Sequence, residues 1–187
     1  MAGLRARLKK TVVLVGMMGA GKTAVGKALA ARLEVPFLDS DEEIVKAADR
    51  SIGEIFERDG ETFFRDRETE VISRLLHEEV GILSTGGGAF LAARNRTAIS
   101  EAGVAVWLRA DLDLLWARVR HKNSRPLLRT DNPFETLRGL FEKRDPLYAK
   151  AELAVKCDAE YSIEMMATAV IDALKTRPDV LEMTRDE

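Results

Sequence analysis

Residues 11–23 read TVVLVGMMGAGKT. The apolar run Val12, Val13, Leu14, Val15 predicts a buried strand, Gly16, Gly19 and Gly21 break it, and Lys22-Thr23 open a helical pattern. Strand, glycine turn and helix in that order make the G-x-x-x-x-G-K-[ST] phosphate loop. Glycines let backbone N–H groups close around phosphate oxygens, Lys22 adds a mobile positive charge, and the Thr23 hydroxyl is a ligand for Mg²⁺. The helix that follows points its positive end at the bound anion. A nucleoside triphosphate site is expected here.

Downstream, Val25, Ala28, Leu29 and Leu33 have helical spacing. Val35 to Asp39 reads as a second strand, ending in Asp39-Ser40-Asp41 at the carboxyl edge where open α/β sheets bind ligands. This pair has two readings: carboxylates facing a ligand, or Asp41 as the cap of a helix over 42–49. Ser51 and Glu54 form a capping box for a short helix that Asp59-Gly60 ends. Glu61 to Glu78 then resumes as helix with Phe64, Glu68, Val71 and Leu75 on one face. Arg65 precedes Glu68 by one turn, so the two pair either as a solvated surface bridge or as part of a site.

A third strand, Val80 to Ser84, runs into Thr85-Gly86-Gly87-Gly88-Ala89, which is either a flexible turn or a place where backbone approaches a ligand closely. Helix is expected over 92–102, 111–120, 133–151 and 162–175, and strand over 104–108 and 153–157. Pro146 should kink or end the third of these helices. Residues 121–132, HKNSRPLLRTDN, lose periodicity and gather Lys122, Arg125 and Arg129 around Pro126. They read as a lid or as a solvated loop. The tail from Pro178 to Glu187 is mostly polar and is expected to fray. Strand and helix alternate throughout, which predicts an α/β fold: three α/β/α layers around a five-stranded parallel sheet, in one domain spanning 1–187.

Composition narrows the function. The 187 residues are 46% hydrophobic and 32% charged with a net charge of −2, which disfavours nucleic acid and anionic membrane as partners. Cys157 is the single cysteine, so no internal disulfide forms, and Met1 to Lys10 lacks the apolar core of a signal peptide. A cytoplasmic protein is expected. His77 and His121 are too isolated to build a zinc site with Cys157.

Four stretches, GMMGAGKT, FLDSD, STGGGA and the arginine contexts FFRDR, SRPLL and EKRDPLY, follow in this order over nearly the whole chain. Together they resemble shikimate kinase. The resemblance implies a P-loop, nucleoside-monophosphate-kinase-like fold with a substrate-binding segment near 40–70 and a lid near 121–132. It implies that Asp41, Arg65, Gly86, Gly87, Gly88 and Arg144 hold shikimate. On the nucleotide side it implies Gly19, Ala20, Gly21, Lys22, Thr23, Ala24, Arg118 and Arg125, with Thr23 and Asp39 serving Mg²⁺ and Lys22, Asp39 and Arg125 acting in catalysis. Glu68 would hold Arg65 in place, and Ser84 would reach the metal through water. ATP and shikimate are then the substrates, the product belongs to aromatic amino-acid biosynthesis, and a monomer is expected. One departure is the stretch Asp158-Ala159-Glu160-Tyr161, which lacks the proline of the family's adenine loop. The rival readings are gluconate kinase, which shares the phosphate loop, and a catalytically silent nucleotide-binding protein.

Overall fold

The five residues of β2 (Thr11–Val15) are all buried, and hydrogen bonds run from both of their edges, so this strand is the middle of a sheet. A computed structural model describes residues 4–121 and 128–185. In chain order the elements are β1 (Leu4–Leu8), β2, α1 (Lys22–Leu33), β3 (Phe37–Asp39), α2 (Ser40–Ala48), α3 (Ile52–Glu78) and β4 (Ile82–Ser84). There follow α4 (Ala93–Ala102), β5 (Gly103–Arg109), α5 (Leu112–Val119), α6 (Pro133–Tyr148), β6 (Leu153–Lys156), α7 (Ile163–Leu174) and β7 (Leu181–Arg185).

The main sheet has five strands in the order β3-β4-β2-β5-β6, and every pairing in it is parallel. Helices cover it on both sides, with α1 packed on α7 and α3 on α4, as the alternation of elements predicts. Register places the site. Leu14 and Asp39 both lie level with Ser84, so the turns that leave β2, β3 and β4 emerge side by side at one edge.

Three expectations are corrected. Up to Arg185 the tail is ordered as a strand, because β7 pairs antiparallel with β1 from Leu4↔Arg185 to Leu8↔Leu181 in a separate two-stranded ribbon. Each strand alternates apolar and polar residues over only five positions, too short a pattern to stand out, and its partner lies at the other end of the chain. Lys9 N–H to Val180 O at 2.7 Å and a Lys10–Asp179 ion pair at 3.4 Å fasten the ribbon beyond the strands. The second correction concerns the cap. Helix α2 begins at Ser40, earlier than its apolar pattern, because Asp39 and not Asp41 caps it.

The break at Gly60 is present, with φ 86 and ψ 170 interrupting α3, a conformation glycine adopts without strain. The third correction is the end of α6: Pro146 lies inside the helix, which ends two residues later at Tyr148 instead of running to 151. Half of the stretch read as a lid or a solvated loop, 122–127 with Arg125, lies outside the described residues.

Candidate active site

The phosphate loop closes between β2 and α1. Gly19 and Gly21 have φ of 83 and 95, values that L side chains rarely adopt, so here the glycines supply backbone freedom. Gly21 is also the N-cap of α1, leaving the helix's first N–H groups directed at the loop's interior. Lys22 Nζ donates to the carbonyls of Gly16 at 2.6 Å and Met17 at 3.1 Å, which folds its charge over the loop. Arg118, from α5, braces the loop from outside by donating to Gly19 O at 3.0 Å and Ala20 O at 3.3 Å. Beneath it the buried Cys157 thiol, its pKa pushed up by burial, donates to Ala20 O at 3.8 Å.

One cleft of about 570 Å³ joins this loop to the ends of β3 and β4. Gly19 to Ala24, Asp39, Asp41, Gly86, Gly87 and Arg118 all line it, so most of the residues expected from sequence converge there. Tyr161, from the segment that lacks the expected proline, and Ile163 and Met166, from α7, form an apolar wall beside the phosphate loop. Ser84 and Thr85 complete the floor.

Asp39 and Asp41 have separate environments despite their spacing. Asp39 Oδ1 accepts from the N–H groups of Asp41 at 2.9 Å and Glu42 at 3.2 Å, so one of its oxygens is committed to the helix. Asp41 makes no such contact, and its pKa rises from 3.8 to about 6. Burial is the main cause, and the neighbouring charges of Asp39 and Glu68 add to it against the opposing pull of Lys22 and Arg65.

The glycine turn after β4 works differently from the phosphate loop. None of its glycines has a positive φ. A Cβ at Gly86 would lie 2.8 Å from Asp41 Oδ1, one at Gly87 2.8 Å from Arg144 Nη1, and one at Gly88 2.5 Å from Arg65 Nη2. Each glycine is therefore covered by one charged head group that a side chain would displace. Arg65 is held in turn by Glu68, whose Oε1 accepts from Arg65 Nη1 at 2.9 Å. Glu68 is only 1% exposed and burial raises its pKa, so this pair is not the solvated surface bridge.

Sequence reasoning missed the residues that pin this turn. Thr85 Oγ1 donates to Leu14 O at 3.0 Å, tying the turn to β2. Asn95, fully buried, donates to Ala89 O at 2.8 Å and accepts from Thr69 Oγ1 at 2.8 Å, joining the turn to α3. Tyr148 Oη donates to Gly87 O at 2.6 Å. The only local signal for the last was its place one helical turn after Arg144.

Fold and site together define a P-loop phosphotransferase acting on a small acceptor. The model of the family described as "Shikimate kinase" matches residues 18–175. A shikimate kinase of Cereibacter sphaeroides is 67% identical over 177 residues, 95% of this chain and 88% of that one. One from Ruegeria pomeroyi is 66% identical over 182 residues, covering 97% and 93%. Among solved structures, the shikimate kinase from Acinetobacter baumannii in complex with shikimate superposes with a TM-score of 0.83 at 38% identity, over 89% of this chain and 93% of that one. The chain belongs to the shikimate kinase family.

Proposed function

We propose the following division of labour for the reaction of this family, transfer of the ATP γ-phosphoryl to the 3-hydroxyl of shikimate. The observation that carries it is the glycine turn, where two arginine forks and a carboxylate lie over three consecutive glycines. Arg65 and Arg144 suit a planar carboxylate, and Asp41 with the N–H groups of Gly86, Gly87 and Gly88 suits the hydroxyls of a rigid ring. Gluconate, an open chain, would not match a preformed array of this kind.

On the nucleotide side, Gly19 to Ala24 cradle the phosphates and Lys22 neutralises charge on the β- and γ-phosphates as it grows. Arg118 braces the loop. Arg125, outside the described residues, is assigned to the transferring phosphoryl group, which it would reach on closure of the lid 121–132; 40–70 is assigned as the substrate-binding segment. The acceptor oxygen attacks phosphorus, the bond to the bridging oxygen of ADP breaks, and the hydroxyl proton passes to a carboxylate. Asp41, which spends no oxygen on the cap, is assigned as that acceptor; Asp39 serves the metal side and the cap.

Mg²⁺ fits the residues present. The Thr23 hydroxyl and the Asp39 oxygen not used by the cap are hard donors, and their small number suits an ion that keeps its waters and binds phosphate oxygens. When bound it would screen the charge of the β- and γ-phosphates. The enzyme is taken to be cytoplasmic and monomeric. No helix among the described residues is long and apolar enough to cross a membrane.

The test is ADP release in a coupled assay with shikimate or gluconate as acceptor, and ³¹P and ¹³C NMR of the product. Turnover with shikimate alone and phosphate on the 3-oxygen is the expected result; equal turnover with gluconate would overturn the substrate reading.

A further inference from the structure

The EKRDPLY stretch contains a residue to which the reaction assigns no part. Tyr148 is the last residue of α6 and is completely buried, with the ring of Trp107 centred 6.3 Å from its own. Buried phenols need a partner for the hydroxyl, and this one reaches across 61 positions of chain to donate to the Gly87 carbonyl at 2.6 Å. It also lies one helical turn after Arg144, on the same face of α6, and both head groups lie over Gly87, where a Cβ would meet Arg144 Nη1 at 2.8 Å and Tyr148 Oη at 3.6 Å.

The consequence follows from peptide geometry. The other two carbonyls of the turn have local partners, Gly86 O accepting from Ala89 N–H at 3.1 Å and Gly88 O from Leu91 N–H at 3.2 Å. Only the Gly87 carbonyl depends on a distant side chain. The Gly87–Gly88 peptide is trans, so its C=O and N–H point in opposite directions. Holding the carbonyl at Tyr148 therefore fixes the plane of the whole peptide, the Gly88 N–H included. Burial raises the Tyr148 pKa, which keeps the hydroxyl protonated as the donor this arrangement requires.

We propose that Tyr148 is a positioning residue for the acceptor: its hydroxyl fixes the plane of the Gly87–Gly88 peptide, whose N–H the reading above assigns to shikimate, and it seats Arg144 against the same turn. The proposal rests on the reading above, that Arg144 and the glycine turn bind shikimate.

Tyr148→Phe keeps the ring and its packing and removes only the hydroxyl. Calorimetry should show shikimate affinity weakened by about tenfold, with shikimate KM rising in step and ATP KM unchanged. In a double-mutant cycle with Arg144→Lys the combined loss should be smaller than the product of the single losses, because both groups act on one turn. A tyrosine that serves the fold alone would lower the melting temperature and leave shikimate affinity unchanged, or would raise both KM values together; either result overturns the proposal. If Arg144→Lys weakens shikimate binding and Tyr148→Phe does not, Tyr148 has no positioning role while the substrate reading stands. If neither does, the substrate reading itself fails. A measurement on the unsubstituted enzyme guards against a variant that does not fold. The Gly88 amide resonance should shift on titration with shikimate, and an unmoved resonance at saturation would refute the proposal.

Discussion

Two glycine-rich turns leave adjacent strands of the sheet, and glycine serves a different physical purpose in each. In the phosphate loop the residue is needed for its backbone: Gly19 and Gly21 sit at φ of 83 and 95. In the turn after β4 the backbone is ordinary, with Gly88 at φ −88 and ψ −14, and the residue is needed for the absence of a Cβ beneath Asp41, Arg144 and Arg65. The first turn presents N–H groups that its own conformation aims. The second is a clearing whose occupants come from α2, α3 and α6.

The strongest test of the first turn is Lys22→Ala. Charge neutralisation on the transferring phosphoryl group should vanish, lowering kcat by about a thousandfold or more, with a melting temperature close to that of the unsubstituted enzyme. Near-normal turnover would remove the loop as the donor site.

The comparison itself is sharpened by alanine at one glycine of each turn. Gly19→Ala should lower both ATP affinity and the melting temperature, since its φ is strained for alanine and the new Cβ would meet Val119 Cγ1 at 2.7 Å. Gly88→Ala should lower the melting temperature less than Gly19→Ala, because its φ is unstrained and the cost is confined to loosening the Arg65–Glu68 pair, while shikimate affinity falls by roughly ten- to a hundredfold. Equal loss of stability in the two variants would break the distinction.

Arg65→Lys keeps the charge and loses the fork. Shikimate KM should rise by about tenfold with ATP KM unmoved, read from steady-state kinetics at saturating partner substrate. If lysine serves as well, the carboxylate is held by charge and not by geometry.

The smallest effect is on stability and concerns Asp41. Its pKa is raised in the folded protein from 3.8 to about 6, so the folded state holds the proton more tightly than the unfolded one. That contribution to stability is complete below about pH 4 and is lost as pH rises through about 6. At pH 7.5 the ionised carboxylate therefore works against folding, and Asp41→Asn should stabilise the enzyme by on the order of 2 kcal/mol while weakening shikimate binding and lowering kcat through loss of the proton acceptor. Thermal melts at pH 7.5 and pH 4 check the sign: the gain should be present at the first and absent at the second.

Much of this was legible in the chain. The strand-turn-helix order around Lys22, the Asp-x-Asp pair, the glycine run and the pairing of Arg65 with Glu68 are all local patterns. The burial of that pair was not, because spacing by three residues is the same on a wet helix face and a dry one. Nor was the cap: Asp39 and Asp41 are chemically alike, and only where α2 begins decides which of them is spent on backbone N–H groups.

Periodicity and motif act over a few residues, so the sequence by itself determined the succession of strands and helices, the donor loop and the residue types brought to the acceptor. Which glycine lies under which head group, the grip of Tyr148 on Gly87 and the pairing of β1 with β7 were decided by tertiary structure alone. These contacts join segments far apart in the chain, and they exist because parallel register sets the ends of β2, β3 and β4 level and close packing brings α6 over the turn between them.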